Sequence, residues 1–193
     1  MILPIVAYGS PILRQVASDI DNSYPNLEQL IADMWETMHY SNGVGLAAPQ
    51  INKSIRLFVI DSRIFFENMA ADGEEQNFPD APGYKGIFIN PIIVEQTGTP
   101  WAYNEGCLSI PKIREDVLRY ESVTLQYLNE NFEEQEKTFN GLTARVILHE
   151  YDHLEGKLFI DYSKPLKRTL LKRKLDDIAK GKIKTDYRML FSK

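Results

Sequence analysis

Two histidines and a glutamate inside one apolar helical run constrain this chain more than anything else in it. Residues 148–156 read LHEYDHLEG and contain H-E-x-x-H. On a helix, residues four apart share a face. His149 and His153 can therefore aim two ring nitrogens at one point, as binding of a divalent cation requires. Glu150 stands beside the first histidine, where it can serve as general base toward a water at such a cation. Upstream, residues 141–148 are apolar enough to predict a buried helix and hence a dry, rigid site. The string also arises by chance on surface helices, but here it holds two of the chain's three histidines. The third, His39, lies near the end of another predicted helix and is read as structural or solvent-exposed.

Two imidazoles hold a metal poorly, and a catalytic site wants three protein ligands. The extended protease pattern H-E-x-x-H-x-x-G-x-x-H begins here with Gly156 in place. It fails at its third histidine, where the chain has Phe159. The missing ligand must come from elsewhere, and the chain has one cysteine, Cys107, in the run Glu105-Gly106-Cys107-Leu108-Ser109-Ile110-Pro111. A lone cysteine is ordinarily a small buried hydrophobe. Gly106 before it permits an unusual backbone angle, and the histidine helix lacks a ligand; together these favour Cys107 as the third donor.

With 193 residues, 44% of them hydrophobic, the chain suits one domain spanning residues 1–193 with a full core. No apolar run approaches the ~20 residues of a membrane helix. The N-terminus has no basic leader and is interrupted by Pro4 and Gly9, so no signal peptide is read. A single cysteine excludes an internal disulfide and fits a reducing cytoplasm. Charge is uneven: residues 164–184 carry nine Lys or Arg against Asp176 and Asp177, in a chain of net charge −5. A basic segment on an acidic body suits an anionic partner for that segment alone.

Residues 1–22 read as irregular, with a short helical turn near Ile12. Leu27, Leu30, Ile31, Met34, Trp35 and Met38 recur at helical spacing, after Asn26 as a cap and before Asn42-Gly43 as a stop. The run Gly43-Val44-Gly45-Leu46-Ala47-Ala48-Pro49-Gln50 follows, its small residues allowing close backbone approach. Strands are expected at 55–60 and 87–94, the second with Pro91 marking an edge or a bulge. Between them, residues 62–86 read as a surface insertion. A hairpin is expected from 122–128 and 132–139. The last element, 164–180, is a basic helix with Leu166, Leu170, Leu171, Leu175 and Ile178 as its apolar stripe, stopped by Gly181 before a loose tail. The fold class is α+β: short mixed or antiparallel strands around one central buried helix, with N- and C-terminal flanking helices.

Three strings stand together in order: Gly43–Gln50, Glu105–Ser109 and His149–Gly156. In this combination the chain resembles the peptide deformylases, which remove the N-formyl group from new bacterial and organellar proteins, and the likeness covers nearly the full chain. The resemblance implies Cys107, His149 and His153 as metal ligands and Glu150 as general base and acid. It implies Gln50 and the backbone N–H of Leu108 as oxyanion donors. Gly45, Glu105, Gly106 and Arg114 would line or support the substrate cleft. The family's native metal is iron(II), with zinc or nickel able to replace it. An apolar pocket for the formyl-methionine side chain is expected from Val44, Leu142, Val146 and the stem of Arg145. A pair between Glu105 and Arg119 would steady the cysteine loop. One departure stands out: the family usually has Gln immediately before the first metal histidine, where this chain has Leu148, which removes a polar group near the ligands.

The implied substrates are N-formyl-methionyl nascent peptides, met in the cytoplasm. Contact with ribosomal RNA through the basic C-terminal helix is a further expectation; neither membrane nor DNA is an expected partner. Two other readings compete: a zinc peptidase sharing the helix motif, and a non-catalytic homologue that binds nascent chains or ribosomes.

Overall fold

A computed structural model describes residues 1–71 and 80–192. Its centre is an antiparallel five-stranded sheet of β2 (Gly45–Ala47), β3 (Leu57–Asp61), β4 (Lys85–Thr97), β7 (Ser122–Leu128) and β8 (Glu134–Asn140), in that spatial order. A hairpin of β5 (Trp101–Cys107) and β6 (Ile110–Arg119) lies apart from it. A third, parallel pair joins β1 (Ile5–Val6) to β9 (Met189–Leu190). Among the described residues, four α-helices complete the mixed α+β fold: α1 (Leu27–Tyr40), α2 (Arg63–Ala71), α3 (Gly141–Leu154) and α4 (Pro165–Ala179).

β3 is buried along its whole length because both faces of the sheet are covered. Side chains alternate along a strand. Phe58 and Ile60 join the cluster containing Ala144, Ile147 and Leu148 of α3. Leu57 and Val59 join Met34 and Met38 of α1. Phe58, Tyr127 and Phe139 pack around Phe88 at ring-centroid separations of 4.7, 4.5 and 5.6 Å and fill the α3 side. α3 is thus buried almost throughout, as its apolar sequence predicts.

The ends of α3 are settled by distant residues. Asn140 provides no side-chain cap. Asp80 supplies it instead: its Oδ2 accepts the Thr143 N–H at 2.8 Å, satisfying a first-turn donor and facing the positive end of the helix. Gly156 closes the other end at φ +66°, and a Cβ there would meet the Arg14 carbonyl oxygen at 2.6 Å.

Several expectations change. Pro91 marks a bulge, not an edge: β4 lies between β3 and β7, and its register shifts between Ile89 and Ile92, with Asn90 at φ +49°. The insertion at 62–86 begins as helix α2, buries Ser62, and returns as strand from Lys85; residues 72–79 lie outside the described part. Asn26 stands at the N-cap of α1, but in left-handed backbone and without a side-chain cap bond. The apolar stripe of α4 is only half used: Leu175 and Ile178 are buried, while Leu166 and Leu170 remain 75% and 72% exposed. The tail after Gly181 is not loose, since β9 pairs with β1 and draws the two chain ends together. Among the described residues, no helix is long and apolar enough to cross a membrane.

Candidate active site

α3 carries His149, Glu150 and His153 on adjacent turns; packing on β2 and β3 buries Glu150 and His153 and leaves His149 partly exposed. The β5–β6 hairpin brings Cys107 to them from 46 residues away, with Cys107 Sγ 3.3 Å from His153 Nε2. One donor atom from each of Cys107, His149 and His153 falls within a group no more than 4.8 Å across. A thiolate with two imidazoles is a donor set suited to zinc, iron(II) or nickel, and the spacing lets one ion reach all three. The residues therefore fit the cation that the sequence motif implies.

His149 is held by a buried charge network. Its Nδ1 lies 2.9 Å from Glu105 Oε2. Arg119 donates to both Glu105 oxygens, at 2.7 and 3.0 Å, and Arg145 adds a third bond at 3.0 Å. Arg119 also reaches Asp152 at 2.8 Å, and the Tyr162 hydroxyl donates to the same carboxylate. Burial pushes the Glu105 carboxyl up, but the bonds from His149 and Arg119 outweigh it and hold the group well below the usual carboxylate range. An ionised Glu105 takes the Nδ1 proton of His149 as a hydrogen bond and leaves Nε2 free for a ligand. The expected pair of Glu105 and Arg119 is present as one part of this larger array.

Glu150 is 4% exposed, and its Oε2 has no hydrogen-bond partner among the described residues. Burial, aided by the nearby Glu105 charge, raises its carboxyl to about 7. A carboxyl tuned there can both accept and return a proton near neutrality. Gly45 is what lets this side chain lie against β2: a Cβ at position 45 would stand 2.8 Å from Glu150 Cδ. The close approach expected of this glycine is thus to the protein's own carboxylate.

Gln50 sits in the short 3-10 helix Ala48–Ile51 after β2. Its Oε1 accepts the Ala47 N–H at 2.8 Å, which turns Nε2 toward Cys107 Sγ at 3.5 Å and Ser109 Oγ at 3.4 Å. These longer contacts leave the amide donor facing the cysteine turn.

A cavity of about 610 Å³ opens over this group. Val44, Gly45, Gln50, Glu105, Gly106, Cys107, Leu108, Arg114, Arg145, Val146, His149 and Glu150 all line it. His153 lies behind the others at 1% exposure and is not among the lining residues. Leu142 is fully buried and does not line it either, because α3 turns that side chain into the interior. Arg145 meets the cavity as more than an apolar stem. Its guanidinium bonds to Glu105 and to the Val117 and Trp101 carbonyls, and lies 4.5 Å from the Trp101 ring centroid. Arg114 is held against Asn104 at 2.9 Å.

The sequence reading missed Phe65, Tyr103 and Lys184–Tyr187, which also line the cavity. It also missed Asp152 and Tyr162, which complete the array around Arg119. Asp152 carried a signal, as an acidic residue inside an apolar helix; the tail residues carried none. Phe159, where the extended protease pattern places a histidine, does approach the site, with its ring 6.0 Å from that of His149. Glu155, two residues past His153, pairs with Arg56 at 2.6 Å. Position 159 can pack but cannot ligate. Leu148 sits in the core beneath the helix, and its carbonyl accepts from Arg119 at 3.4 Å.

Residues 2–169 match the family model described as polypeptide deformylase. The chain is 51% identical over 191 residues to the peptide deformylase of Christiangramia forsetii, covering 99% of this chain and 96% of that one. It is 50% identical to that of Flavobacterium johnsoniae, over 100% of this chain and 97% of the other. The crystal structure of a peptide deformylase from Legionella pneumophila superposes with a TM-score of 0.77 at 36% identity, covering 94% of this chain and 98% of that one.

Proposed function

The chain belongs to the polypeptide deformylase family, and from that premise we propose how its residues divide the work. The enzyme removes the N-formyl group from newly made proteins, leaving formate and a free N-terminal amine. One observation carries the residue-level reading: the Cys107, His149 and His153 donors converge beside a buried glutamate at the floor of a cleft.

Cys107, His149 and His153 would hold one divalent cation, with iron(II) our preferred assignment and zinc or nickel able to stand in. When bound, the cation supplies Lewis acidity toward water and the formyl carbonyl. Glu150 accepts the proton of the attacking water and returns it to the departing amine, a double duty that its raised carboxyl suits. As the formyl carbon becomes tetrahedral, charge grows on its oxygen. The Leu108 N–H and Gln50 Nε2 donate to that oxygen, and one such donor is worth roughly 3–4 kcal/mol in the transition state. Glu105 keeps His149 in a single tautomer and orientation. Val44, Val146 and the Arg145 stem form the wall against which the methionine side chain packs. A cleft closed by Gly45 and Gly106 admits a formyl group, whose carbon bears only hydrogen, and rejects a larger acyl group by clash.

The basic face of α4 is the second part of the proposal. Lys172, Arg173 and Lys174 are exposed on it, and we assign it to ribosomal RNA, near where the substrate emerges. The family match over residues 2–169 and relatives aligned over 99% and 100% of the chain support reading 1–193 as one catalytic domain, and the nascent-chain substrate together with the single cysteine supports a cytoplasmic location.

The test is formate release from formyl-Met and acetyl-Met peptides by protein loaded anaerobically with iron(II). Release from the formyl peptide alone is expected. Cleavage of acetyl or internal peptide bonds at comparable rate would refute the assignment. For α4, ribosome binding should weaken steeply with salt, and reversing the charge at Lys172, Arg173 and Lys174 should abolish it.

A further inference from the structure

The two chain ends meet at the cysteine turn, and their contacts with it are specific. β1 and β9 pair in parallel, with Ile5 opposite Met189 and Val6 opposite Leu190. The Ile5 N–H donates to the Arg188 carbonyl and the Ala7 N–H to the Leu190 carbonyl, both at 2.9 Å. Just beyond this pair, the Tyr8 N–H donates to the Ser109 carbonyl at 2.8 Å. From the tail just before β9, the Tyr187 hydroxyl donates to the Leu108 carbonyl at 2.8 Å. Consecutive carbonyls of one turn are thus held by the two ends of the chain. Thr185 Oγ1 donates to the Tyr187 carbonyl at 2.7 Å and keeps this part of the tail folded. Lys184, Thr185, Asp186 and Tyr187 also line the cleft.

We infer that Tyr187 is a positioning residue for deformylation, acting through Leu108. The inference rests on the reading of the Leu108 N–H as an oxyanion donor. A peptide unit is planar, so holding the Leu108 carbonyl fixes the 108–109 plane and with it one of the two backbone rotations at Leu108. The other side of the turn is anchored where Gly106 pairs with Arg114 in the β5–β6 ladder. Cys107 pairs with Ile110 across the same turn and Leu108 lines the cleft, so the Leu108 N–H is carried on a turn held from both sides. Without the hydroxyl the turn can rock about Leu108, and the donor meets the developing charge less often. Ground-state binding of the peptide draws little on this alignment, so the loss falls on turnover.

Tyr187→Phe removes the hydroxyl and keeps the ring. The full chain, loaded anaerobically with iron(II), is assayed beside the wild type on a formyl-Met tripeptide. If the wild type releases no formate, the functional reading itself fails; with wild-type turnover in hand, the variant tests Tyr187 alone. Expected is a kcat lower by about tenfold with KM within about twofold, as for a displaced transition-state donor. In metal-free protein, amide hydrogen exchange over residues 107–110 should quicken while the melting temperature holds. Thr185→Val removes the bond that folds the tail at Tyr187 and should lower kcat in the same direction; it also carries the comparison if Tyr187→Phe fails to fold. Unchanged kcat and exchange would overturn the inference. So would a rise in KM at constant kcat, which would make the tail a wall and nothing more.

Discussion

Gly45 and Glu150 occupy each other's space: a Cβ at Gly45 would stand 2.8 Å from Glu150 Cδ. The carboxylate that carries the proton in the proposed reaction therefore lies where it does because β2 has no side chain at that position. Gly45→Ala should displace Glu150 while leaving Cys107, His149 and His153, the proposed metal ligands, in place. We expect kcat to fall by at least about tenfold, as small displacements of catalytic groups do, with bound metal unchanged by elemental analysis. Normal turnover in this variant would show that Glu150 has room to spare.

Removing the carboxylate itself separates proton transfer from metal binding. Glu150→Ala should keep its metal and lose turnover, by a factor of about 10² or more. Cys107→Ala should lose metal, and Cys107→Asp should retain it with altered activity. Elemental analysis paired with formate release checks all three. Hydrolysis by Glu150→Ala at a near-normal rate would remove Glu150 from the mechanism.

Arg119 links Glu105 to Asp152 in a buried array. Arg119→Ala leaves Asp152 without its cation and Glu105 with Arg145 and His149 alone. Breaking a buried pair in this way costs about 3–5 kcal/mol, and loosening the support behind a histidine ligand costs about 10–100-fold in metal affinity. Denaturant melts and metal titration should show both effects. Stability and affinity equal to wild type would reduce the array to ornament.

Asp80 caps α3 from a distant loop. Asp80→Ala should destabilise the protein by about 1 kcal/mol, the usual worth of a cap. The urea midpoint should fall with little change in slope. An unchanged midpoint would mean that water satisfies the Thr143 N–H equally well.

Asp61 offers a pH signature away from the metal group. Burial raises its carboxyl, but the fork of Arg63, at 2.7 and 2.8 Å, and the charge of Lys85 outweigh this and lower it. A folded-state value below the unfolded one, about 3.9, stabilises the fold above that pH. The contribution disappears as pH falls through the lowered folded value. Asp61→Asn should therefore be less stable than wild type at pH 7, and the gap in urea midpoint should close on acidification below about pH 4. A gap independent of pH would assign the effect to packing.

Local chemistry made much of this molecule readable. The α3 run is apolar around a polar pair four residues apart, so helix, burial and convergence of His149 and His153 all follow from one period. The bulge at Pro91 follows from a missing N–H. The β5–β6 hairpin escaped because its inward face holds Glu115 and Arg119 beside Val117, which breaks the apolar alternation that marks a strand. Those charges face inward because each finds a partner, Glu115 in Lys167 and Arg119 in Glu105 and Asp152. No period reports such partners. The exposed Leu166 and Leu170 mark the opposite error, since apolar spacing on α4 continues past the part of the helix that meets the core.

What the sequence alone determined is therefore local: the turn of helix that carries two imidazoles and a carboxylate, and the lone sulfur able to complete the set. Such features depend on backbone periodicity and side-chain chemistry within a few residues. Only the tertiary structure decided that Cys107 crosses 46 positions to meet His153, that Asp80 caps α3, and that both chain ends grip the cysteine turn. Those contacts depend on how sheets and helices stack to bury apolar surface, and stacking joins residues that have no neighbourhood in the chain.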